Sequence, residues 1–334
     1  MPKRLHSIER AAVCGAAAVT VAGLASSAFQ EAAAARDRRR FLPPGRLVGI
    51  GGRRMHLLEA GQGSPAVVVV PALADGVLSW IRVQRALAGE LRVVLYDRAG
   101  IGWSDRPPRR HTLDDAAADL RDLLDAAQIE PPYVLVAHSL GGIIARRLAA
   151  RWPGLVAGMV LIDSSHEGQA SRPGWPYDRA AYRRRALRWQ LRPLGLYRLG
   201  ASAGLARELD ADMAMSALPE HAGALRAMTI STRLRRVIVR EILMMAALTG
   251  PPPQLGSLPL TVITAGGQQL PGWRLMQDEL AALSARSRHV VAAGSGHYVH
   301  LDQPELVIET IRDLVRQVAG GPGQRLPPGG TGAP

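Results

Sequence analysis

Three residues in this chain have the types and settings needed to cleave a carbonyl compound. Ser139 stands in VLVAHSLGG, residues 134–142, between Ala137 and Gly141 and directly after a run suited to a buried strand. Small residues on both sides let a strand turn sharply into a helix and hold the hydroxyl clear of the sheet. That is the pattern of a nucleophile elbow, with alanine in place of its first glycine. The N–H of Leu140, at the start of the helix, can then point at a developing oxyanion. Without a base, the same stretch would be only a polar turn. A serine hydroxyl needs a neighbour to take its proton, and His297 is placed to do so. It lies in GSGHYVHLDQPELV, in a loop of small residues between the last predicted strand and the last helix. His138, His166 and His300 are poorer bases. His138, next in the chain to Ser139, points away from the site if the serine points into it. Asp163 ends the apolar run MVLID and is the candidate acid.

These side chains need a frame that brings them together. RLVGIGGRRMHLLEAG reads as two short strands joined at Gly51-Gly52. AVVVVPAL is a continuous apolar run, the mark of a strand buried on both faces. LRVVLYD, YVLVAHS, GMVLIDS, LTVITAG and RHVVAAGSG read as further strands. Helical patterns separate them, and one opens with Thr112 and Asp115 at capping-box spacing. Such alternation predicts parallel βαβ units and a doubly wound, mostly parallel sheet. Functional residues then gather beyond the carboxyl ends of the strands, where Ser139, Asp163, Asp97 and His297 all fall. Residues 167–256 break the alternation with helical patterns and predict an inserted helical lid.

The ordered set VVVVPALADGVLSW, YDRAGIGWSD, VLVAHSLGG, MVLIDSSHE and GSGHYVHLDQPELV resembles the α/β-hydrolases that carry a helical lid. The resemblance covers about residues 44–318 and includes a bacterial group sharing the YDRAG-GWSD block. It implies the α/β-hydrolase fold, with Ser139 as nucleophile and His297 as base. Two departures matter. Many members carry His-Gly after the first long buried strand, where a backbone N–H contributes to the oxyanion hole. Here the stretch is Pro71-Ala72-Leu73-Ala74, which makes the N–H of Leu73 the expected donor. Alanine in the glycine position tolerates positive φ poorly. The second departure is the acid. It commonly follows the strand after the lid, but TAGGQQLPGW holds no carboxylate. Asp278 lies about a turn into the next helix. Asp97 precedes the elbow, the wrong chain order for this fold, and reads as loop structure, with Asp97 and Arg98 pinning the turn and Trp103 packing near the site. Asp163 keeps the order Ser139, Asp163, His297.

The formal net charge of +13 could suggest nucleic acid or an anionic membrane surface. No aromatic RNA-binding signature, zinc spacing or helix-turn-helix accompanies it, so no nucleic-acid partner is expected. Cys14 is the only cysteine, which excludes an intrachain disulfide, and no Cys/His cluster offers a metal site. Residues 1–40 combine basic residues with an Ala-rich apolar run. They are expected to be a signal peptide or membrane anchor, with export and possible membrane association as the consequence. Residues 41–166 and 257–319 form the expected core, 167–256 the lid, and 320–334 a disordered tail. In the lid, Arg183 to Arg185, Arg188, Arg192 and Arg198 read as a solvated face. Met213, Met215, Met228, Met244 and Met245 read as lid core. The expected activity is a serine hydrolase without cofactor or metal. Its substrate would be a small ester with an apolar part. The rival is a ligand-binding protein on the same fold with little turnover.

Overall fold

The computed structural model describes residue 21 and residues 23–108, 111–191, 198, 218–268 and 270–320. One eight-stranded sheet organises the chain. Its strands are β1 (Arg46–Ile50), β2 (Arg53–Ala60), β3 (Ala66–Val70), β4 (Val93–Tyr96), β5 (Tyr133–His138), β6 (Val156–Ile162), β7 (Leu260–Ala265) and β8 (Ser287–Ala292). They lie in the order β1-β2-β4-β3-β5-β6-β7-β8. The pairs β1–β2 and β2–β4 are antiparallel, and every later pair is parallel. Gly51 and Gly52, at φ 51° and 82°, turn the β1–β2 hairpin, as a two-residue turn with both φ positive requires.

The valine run of β3 is wholly buried because helices cover both faces of the sheet. Val67 and Val69 pack into one layer with Val134 and Val136 of β5. Val68 and Val70 pack into the other, with Leu135 and Ala137. Each such side chain contributes roughly 1.5–3 kcal/mol relative to exposure. Helix Leu113–Ala126 covers one face, and its N-terminus carries the reciprocal Thr112–Asp115 capping box. Helix Pro304–Ala319 covers the other and starts on Pro304, where the missing N–H has no intrahelical partner to lose.

Between β6 and β7 lie helices Arg179–Leu191, Ala222–Thr229 and Thr232–Ala247, with no strand among the described residues. The last of them packs along the first and buries Val237, Ile238, Ile242 and Met245. Met228 and Met244 pack against the core. Met213, Met215 and Arg192 lie outside the described residues. Arg198 is not part of a solvated face: it is buried, paired with Asp37 at 2.8 Å and bonded to Gln30. Gln30 in turn donates to the carbonyl of Ile230 at 2.7 Å. The helical residues 23–40 therefore lie against the insertion. No helix among the described residues is long and apolar enough to cross a membrane.

Candidate active site

The register of the parallel strands brings the first two residues together. His138 pairs with Ile162 across β5 and β6, so Ser139 and Asp163 leave the same sheet edge side by side. Ser139 takes φ 52° and ψ −120° at the N-terminus of helix Leu140–Arg151. This is a strained conformation for a residue with a side chain, and its surroundings explain why it persists. Its N–H is held by the carbonyl of Ile162 at 3.1 Å. A methyl on Gly141 would run into the backbone carbonyl of Val70, and one on Gly142 would run into the Ser164 hydroxyl. The small residues after the serine are thus required by close approach to neighbouring strands. The N–H of Leu140, in the first turn, has no intrahelical acceptor.

Asp163 is also in the left-handed region, at φ 39°. Its N–H bonds to Ile263 of β7 at 2.7 Å. The buried carboxylate accepts from the N–H of Ala265 at 3.0 Å, Trp273 Nε1 at 2.7 Å and Gln268 Nε2 at 3.2 Å. Its Oδ2 lies 2.6 Å from His297 Nδ1. Burial pushes the Asp163 pKa up, but the hydrogen bond and charge of His297 and the donors Trp273 and Ala265 outweigh it and hold it below the usual value. TAGGQQLPGW, the stretch without an acid, supplies the donors that hold one. Gln268 and Trp273 escaped sequence reading because neither is a reactive type. Their only signal was their place at a strand's carboxyl end.

His297 remains partly open, 30% exposed against 0% for the Asp163 side chain. With Nδ1–H spent on the carboxylate, Nε2 is the basic nitrogen. Its ring and Ser139 line one cavity of about 310 Å³ together with Leu140, Leu73, Trp175 and Arg185. All five candidate site residues therefore meet at one edge: Ser139, His297, Leu140 and Leu73 at the wall, Asp163 behind the imidazole. Trp103 does not join them. It sits edge-on to His56, 4.9 Å between ring centroids, and donates to the carbonyl of Phe41.

The loop after β3 departs from expectation. Ala72 is not among the residues with positive φ; Ala74 is, at 61°. Arg98, buried beneath the loop, donates to the carbonyls of Pro71 at 2.5 Å and Ala72 at 2.6 Å. Glu241, from lid helix Thr232–Ala247, accepts from the N–H of Ala74 at 3.0 Å and from Arg98. Arg98 does pin a turn, but the turn is this one.

Behind the site, His138 Nε2 donates to the carbonyl of His297 at 2.8 Å, which fixes the loop carrying that histidine. The fold also gathers ligand atoms of Asp75, His138 and His300 within 4.8 Å of one another, a group that sequence spacing did not reveal. It is a poor cation site. Asp75 already accepts from the N–H of Gly76, the hydroxyl of Ser79 and the indole of Trp80, and the charge of Arg98 acts on the same carboxylate. Trp80 covers the face of His300 at 4.0 Å. Burial lowers the His300 pKa to about 3 and His138 well below its ordinary value, with His297 adding to both.

Comparison with known proteins agrees with this architecture. Residues 65–304 match the family model for the alpha/beta hydrolase fold, and the chain belongs to that family. An AB hydrolase superfamily protein of Gibberella zeae is 27% identical over 288 residues, 76% of this chain and 87% of the relative. A thermophilic esterase from Thermogutta terrifontis superposes with a TM-score of 0.60 at 23% identity, over 82% of this chain and 98% of that one. An enol-lactonase from Burkholderia xenovorans LB400 gives 0.60 at 19% identity, over 81% and 99%. At these identities the two structures establish the shared fold.

Proposed function

We propose that the chain is a serine hydrolase that needs no cofactor and cleaves carboxylic esters through Ser139, His297 and Asp163. The observation that carries this reading is the 2.6 Å contact between Asp163 and His297 Nδ1, behind a ring that shares its cavity with Ser139. The carboxylate fixes the imidazole tautomer and stabilises the imidazolium. Ser139 Oγ attacks the carbonyl carbon while His297 Nε2 takes its proton. The carbonyl oxygen, now anionic, accepts from the N–H groups of Leu140 and Leu73. The intermediate collapses, the C–O bond to the alcohol breaks, and the imidazolium returns its proton to the leaving oxygen. A water then repeats the sequence on the acyl-enzyme and frees the acid. Tyr182, Trp175 and Met245 in the cavity wall suit an apolar acyl or alcohol group.

The rival, a binding protein with little turnover, is favoured if the altered loop after β3 cannot supply an oxyanion donor. The ordinary φ of Ala72 and the bonds holding the loop weaken that case. A fluorophosphonate probe followed by peptide mass spectrometry tests the reading. Prompt labelling of Ser139, absent in Ser139→Ala, is expected, together with turnover of p-nitrophenyl esters. A wild-type protein that neither labels nor turns over leaves the binding reading in place.

A further inference from the structure

We propose that Glu241 of the lid helix is a positioning residue for the oxyanion donor, so that the hole is complete only while this helix is seated. The inference rests on the reading of Ser139 as nucleophile and Leu73 N–H as donor. Its basis is one rigid peptide plane. The C=O of Ala72 and the N–H of Leu73 belong to the same planar trans unit and point in opposite directions. Arg98 Nη2 grips that carbonyl at 2.6 Å, and Nη1 grips the preceding one, on Pro71. Holding the Ala72 oxygen on the buried side turns the Leu73 N–H to the opposite side. Ala72 and Leu73 also line the cavity that holds Ser139. A cation on the carbonyl also polarises the amide it belongs to and makes its N–H a better donor.

Arg98 cannot do this alone. Its guanidinium is buried, and a buried charge is tolerated only when paired. Its partner is Glu241, which receives Nε at 3.0 Å and Nη2 at 2.9 Å and is itself buried. Glu241 Oε2 then reaches past Arg98 to the N–H of Ala74 at 3.0 Å. That bond fixes the peptide on the other side of Leu73, at a residue whose φ of 61° is disfavoured for alanine. One carboxylate therefore orients the arginine below the donor and clamps the residue after it. It belongs to Thr232–Ala247 in the insertion, whereas the nucleophile, base and acid are all held by the sheet. Displacing this helix would remove the carboxylate and leave Arg98 unpaired, while the proposed Ser139, His297 and Asp163 stayed in place.

The test compares Glu241→Ala and Glu241→Gln with wild type and with Arg236→Ala, an exposed position on the same helix. Readouts are kcat and KM on a p-nitrophenyl ester, inhibition by phenylboronic acid, which mimics the tetrahedral adduct on serine, and inhibition by the carboxylic acid product. Glu241→Ala is expected to lower kcat by about 10²-fold, the scale of a lost oxyanion donor. Boronate affinity should fall in parallel, with KM and product affinity within about threefold. Glu241→Gln, which keeps an acceptor for Ala74 and loses the charge on Arg98, should fall between, and serves if the alanine variant does not fold. Arg236→Ala should match wild type. Folded variants that retain boronate affinity and kcat, or that lose product and boronate affinity equally, overturn the inference while Ser139 labelling still stands. A wild-type protein without labelling or turnover overturns the hydrolase reading and the inference together.

Discussion

Two aspartate–histidine pairs in this molecule have almost the same local geometry. Asp163 meets His297 Nδ1 at 2.6 Å, and Asp97 meets His56 Nδ1 at 2.7 Å. Both aspartates immediately follow a strand, β6 in one case and β4 in the other. They differ in what surrounds the ring. The second nitrogen of His56 faces the carbonyl of Pro44, and its side chain is 0% exposed. Asp97 also accepts from the N–H groups of Val77 and Trp103. Gly76 and Gly102 leave room for it, since a methyl at either would strike its carboxylate. This pair joins β2, β4 and the loop after β3. His297 instead turns its free edge to a cavity that holds a serine and two candidate oxyanion donors. The hydrogen bond alone does not mark a candidate dyad; a partly open ring that shares a cavity with a serine does.

Substitution of the two acids should separate the pairs most sharply. Asp163→Asn keeps an amide oxygen for the donors Ala265 and Trp273 but turns an NH2 toward His297 Nδ1, which favours the wrong tautomer and removes the charge that would stabilise the imidazolium. It should lower kcat by about 10⁴-fold, the cost of the equivalent loss in a serine protease, with KM little changed in steady-state assays. Asp97→Ala should leave kcat within a few-fold. It would orphan the donors His56, Val77 and Trp103, at about 1–3 kcal/mol for each buried group, so its urea midpoint should drop severely. Reversed effects, with Asp97 controlling kcat and Asp163 only stability, would break the comparison.

The buried histidines behind the site give the next effect. His138 and His300 have lowered pKa values in the folded state, so below about pH 6.5 the unfolded chain binds more protons there. Stability is then fully present above that pH. It falls on acidification by about 1.4 kcal/mol per pH unit for each histidine, down to about pH 3 for His300. Asp75 opposes this: burial raises its pKa from 3.8 to about 6, which favours the folded state as pH falls through that window. Two histidines against one carboxyl leave a net loss below pH 6.5. His300→Phe, which keeps a ring on Trp80, should flatten the stability–pH curve measured by urea unfolding. An unchanged slope would show that His300 takes up its proton equally in the folded and unfolded states.

The sequence made the edge legible for a physical reason. Parallel strands buried on both faces are continuous apolar runs, so their ends can be counted, and the residues that follow them can be placed at one edge. Ser139, Asp163 and His297 were found this way. Leu73 came from the family resemblance, and the objection to Ala72 failed because the positive φ falls two residues later, at Ala74. Glu241 was not legible. It lies 143 positions from Arg98, on an amphipathic helix where a glutamate among arginines reads as a solvated face. Gln268 and Trp273 were hidden by reading their loop for an acid, when its donors serve one. Residues 1–20 and 22 of the expected targeting segment lie outside the described residues.

The smallest effect belongs to a third aspartate–histidine pair. Asp278 Oδ1 lies 2.9 Å from His289 Nδ1, within hydrogen-bond range though longer than the 2.6 Å between Asp163 and His297. Its setting is different again. Asp278 is half exposed and shares its carboxylate with Arg274 at 3.6 Å, one helical turn earlier. His289 Nε2 is already engaged with the hydroxyl of Thr264 at 2.6 Å. Neither Asp278 nor His289 lines the cavity that holds Ser139. Burial lowers the pKa of His289, while Asp278 pulls it upward. Loss of the carboxylate should therefore lower it further and leave the ring neutral at pH 7. Exposed pairs are worth about 0–1 kcal/mol, so Asp278→Asn should shift the urea midpoint by no more than that. Its kcat and KM on p-nitrophenyl esters should equal those of wild type. A tenfold or larger loss of kcat would mean that the acid sits after β7, and would remove Asp163 from the proposed triad despite its contact with His297.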